Sequence, residues 1–331
     1  MRTILYMPTI DWNFLKQRPQ HILSQFAKNG WRVIYCNQTQ LNRKPEEVEK
    51  NLFVHYNFHD VVEQIQKNKL KIDVAYATWA KSHVYYPIIK AKINIYDSVD
   101  SFPEWHPFEF EACKKADIVL TSSQYLFDLR KKMHNNVYLV RNACDSSFIN
   151  APFKKPNDLI GFNGPIVGFV GAIGSWVKTS LIKKVADKYT TVFIGREFGN
   201  VCPSNVKNLG VKSHSDLINY YQTLDVCLLP FNTKLEITQA ADPIKLYEHM
   251  SCGKVTVSTD WPEVRLYPNV VLPSQTDEEF LLNVDRAIEL SKKPEIKRQA
   301  IEFAKNNTWE QRYSKIENAI YEYSKRSGKH L

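Results

Sequence analysis

Ala241-Asp242-Pro243-Ile244-Lys245-Leu246-Tyr247-Glu248-His249-Met250-Ser251-Cys252-Gly253-Lys254, running on into Val255-Thr256-Val257-Ser258, is the stretch that decides the fold. Asp242 is suited to cap a helix and Pro243 to sit in its first turn. A helix from about Pro243 to Cys252 therefore leads through Gly253 into a β-branched strand over 254–258. Working back from it, Asp225–Pro230 is another apolar strand, and Ser213-His214-Ser215-Asp216 caps a helix through Tyr221. Further back lie a short strand ending near Val211, a strand at Thr191–Gly195, a helix near Thr179–Lys188 and a strand at Ile166–Gly171. Beyond the stretch, Thr276-Asp277-Glu278-Glu279 has capping-box spacing and opens a helix to about Leu290. Strands alternating with amphipathic helices predict an α/β fold with a parallel sheet.

The segment from Ala151 to Pro165, rich in Pro, Gly and Lys, breaks this alternation and predicts a linker. Before it the same pattern holds, with strands expected at Thr3–Met7, Arg32–Cys36, Leu52–Tyr56, Asp73–Thr78, Ile93–Asp97, Asp117–Thr121 and Val137–Val140. Pro19, the stripe Ile22, Leu23 and Phe26, and Gly30 mark a helix between the first two. A length of 331 residues suits two such domains of about 150 residues each. The expected division is 1–150, a linker at 151–165, and a second Rossmann-like domain from 166. Two open parallel sheets joined in this way predict a cleft, with ligands beyond the carboxyl ends of the strands.

Composition narrows the classes. No run of about 18 apolar residues is present, so no membrane-spanning helix is expected, and the first residues lack a signal-peptide core. A cytoplasmic protein is expected. Six scattered cysteines without a Cys-x-x-Cys pair indicate neither a disulfide framework nor a zinc site. The formal charge of +9 is spread along the chain, which fits a solvated basic surface or attraction to anionic lipid better than nucleic acid.

Several residues could carry chemistry. Free amides at the N-terminus of a helix beginning at Pro243 and Ile244 form a phosphate site, and Lys245 and Glu248 share one helical face. Lys245 could then hold a diphosphate while Glu248 accepts two hydrogen bonds from a ribose diol; the alternative is a surface ion pair. Gly171 and Gly174 would let a phosphate approach the backbone, or merely form a tight turn. Arg196 follows strand-end Gly195 and reaches toward a phosphate or only into solvent. Arg18, at the start of the first helix, either contacts acceptor or phosphate or makes a local salt bridge. Asp97 and Asp100 follow a strand end, where a carboxylate could act as base or cap the next turn, with His106 close in sequence. No Asp-x-Asp pair stands at a strand end, so neutralisation of a diphosphate by amides and lysines, without a metal, is expected.

Pro243-Ile244-Lys245-Leu246-Tyr247-Glu248, then Gly253-Lys254-Val255-Thr256-Val257-Ser258, resembles the nucleotide-binding segment of GT-B retaining glycosyltransferases of sequence family 4. Leu217–Pro230 resembles the helix–strand unit that precedes it there. Asp11-Trp12-Asn13-Phe14-Leu15-Lys16-Gln17-Arg18-Pro19-Gln20-His21 and Tyr96-Asp97-Ser98-Val99-Asp100 resemble the branch acting in teichuronic-acid-type polysaccharide synthesis. The resemblance covers nearly the whole chain. It implies a GT-B fold of two Rossmann-like domains, the second over 166–308, and a last helix over 309–331 that begins at Trp309 and returns to the first domain. It also implies sugar transfer from a UDP-, GDP- or dTDP-sugar to a glycan or lipid-linked acceptor in bacterial surface-polysaccharide synthesis, with no further cofactor. By the same resemblance Glu248 binds ribose, Lys178 contacts the donor diphosphate, and Trp12 lies on the acceptor side. Two positions depart from the family pattern: Ala172 replaces an Arg, and Ala240 replaces the first Glu of E-x7-E, which touches the transferred sugar. Asp242 either substitutes for that Glu or only caps the helix. Two alternatives stay open: a sugar-nucleotide epimerase, and a non-catalytic partner in a synthesis complex, which Ala240 keeps alive.

Overall fold

Apolar runs bounded by polar turns form strands buried on both faces, as parallel sheets require. In the computed structural model, which describes residues 1–331, the chain divides into two compact units, 1–141 with 309–331 and 142–308.

The first unit runs β1 (Thr3–Tyr6), α1 (Arg18–Lys28), β2 (Arg32–Cys36), β3 (Glu46–Glu49), β4 (Leu52–His55), α2 (Phe58–Gln66), β5 (Val74–Ala77), α3 (Tyr86–Ile89), β6 (Ile93–Ser98), α4 (His106–Lys115), β7 (Ile118–Thr121), α5 (Gln124–Arg130) and β8 (Val137–Leu139). The strands form one sheet in the order β3-β4-β2-β1-β5-β6-β7-β8. Every pairing is parallel except the edge pair β3–β4. Helix α1 starts on a reciprocal cap, in which the Gln17 amide donates to Gln20 Oε1 at 3.1 Å and the Gln17 side chain accepts in return. Gly30 ends the turn at a φ of +81°.

The second unit contains β9 (Ile166–Val170), α6 (Thr179–Ala186), β10 (Thr190–Ile194), β11 (Lys207–Asn208), α7 (His214–Thr223), β12 (Val226–Leu229), α8 (Glu236–Gln239), α9 (Ile244–Ser251), β13 (Val255–Thr259), β14 (Val271–Ser274), α10 (Asp277–Ser291) and α11 (Pro294–Lys305). Its sheet, β11-β10-β9-β12-β13-β14, is parallel throughout. Phe169, Phe193, Leu228, Val257, Leu246 and Met250 join in its core. The remaining helix, α12 (Trp309–Ser327), packs on α1 of the first unit. There the Trp309 ring stacks on His21 at 4.7 Å, and Tyr313 meets Phe26 edge-on at 4.9 Å. No helix is long and apolar enough to cross a membrane.

Two expectations need correction. The unit boundary falls at 141/142, and residues 151–165 do not run between the units. The Cys144 amide donates to the Asn307 carbonyl at 3.0 Å, and Phe148 and Leu159 are buried with Val170 and Ile194, so tertiary packing draws this Pro- and Gly-rich segment onto the second unit. Strand β3 was also not expected. Its sequence, Glu46-Glu47-Val48-Glu49, lacks an apolar pattern, and it exists through backbone pairing at an edge, where charged residues are tolerated.

Candidate functional site

The most concentrated polar chemistry of the second unit gathers where β9 gives way to its loop and α9 begins. Strand β9 ends at Val170, and the Gly171 amide donates to the Ile194 carbonyl at 2.7 Å. Gly171 has a φ of +132°, and Gly195, at the end of β10, a φ of +151°. A Cβ on Gly195 would fall 2.0 Å from the Gly171 carbonyl oxygen, so the two turns approach more closely than side chains allow. A Cβ on Gly171 would fall 1.7 Å from Lys245 Cε. The Lys245 stem thus lies on the bare backbone of the β9 turn, with its ammonium 6.0 Å from the centre of the Phe231 ring. That ammonium makes no ion pair or hydrogen bond with the protein. Burial lowers its pKa, against the pull of the nearby Glu248 charge. A half-buried ammonium with no hydrogen-bonding partner in the protein can take an anion.

Helix α9 supplies the second element. Pro243, not Asp242, is its N-cap, and no side chain caps it. Asp242 is instead spent on structure. Its Oδ2 accepts from the Asn142 amide at 2.5 Å and its Oδ1 from Tyr247 Oη at 2.8 Å, and the residue is buried. The expected cap and sugar contact at Asp242 give way to this bracing, because both oxygens face donors inside the unit. Pro243 and Ile244 are half-buried at the helix start.

One turn along α9, Glu248 is buried at 5% exposure. Its Oε1 accepts from His214 Nε2 at 3.0 Å and its Oε2 from Tyr221 Oη at 2.8 Å. Burial pushes its carboxyl up, but these bonds and the His214 and His249 rings outweigh that, so its pKa lies below the ordinary value. Glu248 is ionised at neutral pH and acceptor-only, which makes His214 Nε2 and Tyr221 Oη the donors. His214 opens α7 after its cap Ser213, and its ring lies along Phe148 at 5.1 Å. The neighbouring His249, held neutral by burial with its pKa lowered to about 3, sits edge-on to Tyr221. The sequence reading did not select His214 or Tyr221. Their signal was a spacing of seven, which puts both on one face of the helix before β12.

Other candidates lie elsewhere. Lys178 is ion-paired with Asp277 in the first turn of α10, where Lys184 also reaches at 3.1 Å, and it does not join the group around Lys245. Gly174 lies under Trp176, whose ring carbons would be 2.5 Å from a Cβ there, so this glycine makes room for an aromatic ring. Arg196 is exposed in the loop after β10, and its carbonyl accepts from the Ile173 amide at 2.9 Å. Ala240 is fully buried at the end of α8.

In the first unit the carboxyl end of β6 holds Asp97, which is fully buried. It accepts from Arg18 Nε at 2.7 Å and Nη2 at 3.0 Å, and from the Tyr76 hydroxyl. Arg18 is 3% exposed and also donates to the Arg141 carbonyl at 3.3 Å. Of the two alternatives for Arg18 the structure shows the salt bridge, and Asp97, expected as a base or turn cap, is held in that closed, forked ion pair, as planar guanidinium and carboxylate favour. Asp100, two residues past the strand, is only half-buried and accepts no hydrogen bond. Loss of hydration raises its pKa from 3.8 to about 6, with Arg18 opposing and Asp97 adding to the rise. His106 is exposed and shares a hydrogen bond with Ser101 Oγ at 3.0 Å. The Trp12 amide donates to Asn37 Oδ1 at 2.9 Å, and its ring meets Tyr35 edge-on at 5.1 Å.

Two parallel-sheet units, with a glycine turn and a Lys–Glu helix in the second, define the class: the fold is that of GT-B glycosyltransferases. Among solved structures, sucrose-phosphate synthase from Thermosynechococcus elongatus superposes with a TM-score of 0.71 at 13% identity, covering 97% of this chain and 99% of that one. HepE from Anabaena, solved with UDP-glucose, gives 0.68 at 14% identity, covering 96% and 100%. In sequence the chain is similar to TuaH of Bacillus subtilis, provisionally named a teichuronic acid biosynthesis glycosyltransferase, at 26% identity over 171 residues. That match takes in 46% of this chain and 43% of TuaH, so under half of the relative is spanned. No protein-family model matches the chain.

Proposed function

We propose that this protein binds a nucleoside-diphosphate sugar in its second unit and transfers the sugar to a glycan or lipid-linked acceptor in bacterial surface-polysaccharide synthesis. The observation that carries the reading is the placing of Lys245 on the bare Gly171 turn, with Glu248 one helical turn away. A diphosphate would lie against the Gly171 backbone, the uncapped amides of α9 and the unpaired Lys245 ammonium. Glu248 would accept from the ribose diol. The same ammonium and amides would stabilise charge on the departing diphosphate, the main demand of glycosyl transfer from such donors. Asp100, with its raised pKa and open oxygens, is the group best suited to take the acceptor's proton. Likeness to TuaH supports the polysaccharide assignment, and a UDP-glucose complex of HepE supports the donor class. A retaining outcome follows from the family resemblance. The basic surface suits work at the cytoplasmic face of an anionic membrane.

Glu248→Ala is expected to lose roughly 1.5–3 kcal/mol of affinity for whichever of UDP or GDP binds the wild type, as read by calorimetry. Unchanged affinity in a folded variant would defeat the assignment. A second reading, nucleotide binding without transfer in a synthesis complex, draws on buried Ala240 and on Lys178 being engaged by Asp277. Nucleotide binding with no acceptor-dependent release of diphosphate, across a panel of sugar nucleotides, would favour it.

A further inference from the structure

Glu248 does not stand alone, and its two partners differ in a way that matters for recognition. Tyr221 is fully buried, inside the core that also takes Val170 and Ile194. His214 is partly open, with 21% of its side chain exposed, and sits at the first residue of α7 with its ring against Phe148. A carboxylate offers about four acceptor directions over its two oxygens. Tyr221 takes one on Oε2 and His214 one on Oε1, which leaves one on each oxygen, the number a vicinal diol needs. The two donors also fix the plane of the carboxylate, and a group held in one orientation loses less freedom when a ligand arrives.

We propose that His214 is a positioning residue for ribose recognition: by donating from Nε2 to Glu248 Oε1 while braced on Phe148, it aims the carboxylate at the sugar's 2′- and 3′-hydroxyls. This rests on the nucleotide-sugar reading of the Glu248 site. Its role is selective, because an aimed carboxylate distinguishes ribose from 2′-deoxyribose, whereas a loosely held one settles for a single hydroxyl. A purely structural His214, joining α7 to the Phe148 segment, would affect folding and leave that discrimination intact.

The test is calorimetric binding of UDP against 2′-deoxy-UDP and of GDP against 2′-deoxy-GDP, using the full chain and thermal melts to confirm folding. The wild type is expected to prefer the ribonucleotide by about tenfold, the size of one hydrogen bond to a charged group. In His214→Ala the preference should shrink to within about twofold of none, with most diphosphate affinity retained. His214→Gln, which restores an N–H donor, should recover part of it, and Tyr221→Phe provides an independent loosening of the same carboxylate if His214→Ala fails to fold. The proposal is overturned if the wild type shows no preference, or if folded His214→Ala, or Tyr221→Phe in its place, keeps the full wild-type ratio. Glu248→Ala separates the two levels. If it leaves nucleotide affinity unchanged, the ribose site itself is wrong. If it weakens binding while the His214 variants keep their ratio, only the positioning role fails.

Discussion

Asp100 illustrates how a single carboxyl can be set apart from its neighbours. Asp97, three residues earlier, has its charge met by the Arg18 fork, and Asp242 has both oxygens met by donors. Asp100 loses hydration without gaining a hydrogen bond, so its pKa rises to about 6. A folded-state pKa above the unfolded one means that Asp100 contributes stability fully present below about pH 4 and lost as pH rises through about 6. Near neutrality the ionised group therefore costs the fold, by roughly 1–2 kcal/mol after allowing for its partial exposure. Asp100→Asn is expected to melt at a higher temperature than the wild type at pH 7–8 and at the same temperature below pH 4. A constant offset across that range would show that Asp100 is not titrating as described. If Asp100 also accepts the acceptor's proton, the stabilised variant will be the less active one, the trade expected of a strained functional group.

At the scale of elements, the site depends on how closely a strand turn and a helix approach. Gly171→Ala imposes a side chain where φ is +132° and where Lys245 Cε now lies. The lysine tip is flexible and can swing away, but the backbone strain cannot be relieved in that manner, at a cost of about 1–3 kcal/mol. Melting and nucleotide affinity should both fall in Gly171→Ala. Adding Lys245→Ala should return none of the lost affinity and little of the lost stability; full recovery of stability would mean that steric clash, not backbone conformation, dominates. Much of this geometry was legible in the sequence. The buried strands β1, β2, β9 and β12 were visible because parallel strands are apolar on both faces, and Lys245 and Glu248 because a helix sets residues three apart on one side. What was not legible depends on distant partners. Asp277 lies 99 residues from the Lys178 it captures, and Asn142 lies 100 residues from Asp242. Nothing local marks those pairings, so the bonds of Lys178 and Asp242 to distant partners could not be read from the sequence.

Over the whole molecule, the chain leaves its first unit after Arg141 and returns at Trp309. The first unit is therefore completed by residues that follow the whole of the second along the chain. Trp309 is 1% exposed and stacked on His21, while Tyr313, Ile316 and Ile320 of α12 are also buried. The Trp309 indole N–H finds no acceptor, so replacing the ring forfeits packing and no hydrogen bond. Trp309→Ala should then cost the 3–5 kcal/mol typical of emptying a buried aromatic site, about as much as a small domain can spare. The loss belongs to one unit. The Tyr220, Tyr221 and Ile194 core of the second unit contains no residue of α12. Hydrogen exchange should show amides of β1, β2 and α1 losing protection in Trp309→Ala while those of β9, β10 and β12 keep theirs, with nucleotide affinity close to that of the wild type. Equal loss of protection in both sheets would mean that the two units unfold as one and that the second cannot hold its nucleotide site without the first. Confinement of the loss would instead establish the second unit as a separately stable body, which is the condition under which the Glu248 and His214 measurements report on the site and not on the fold.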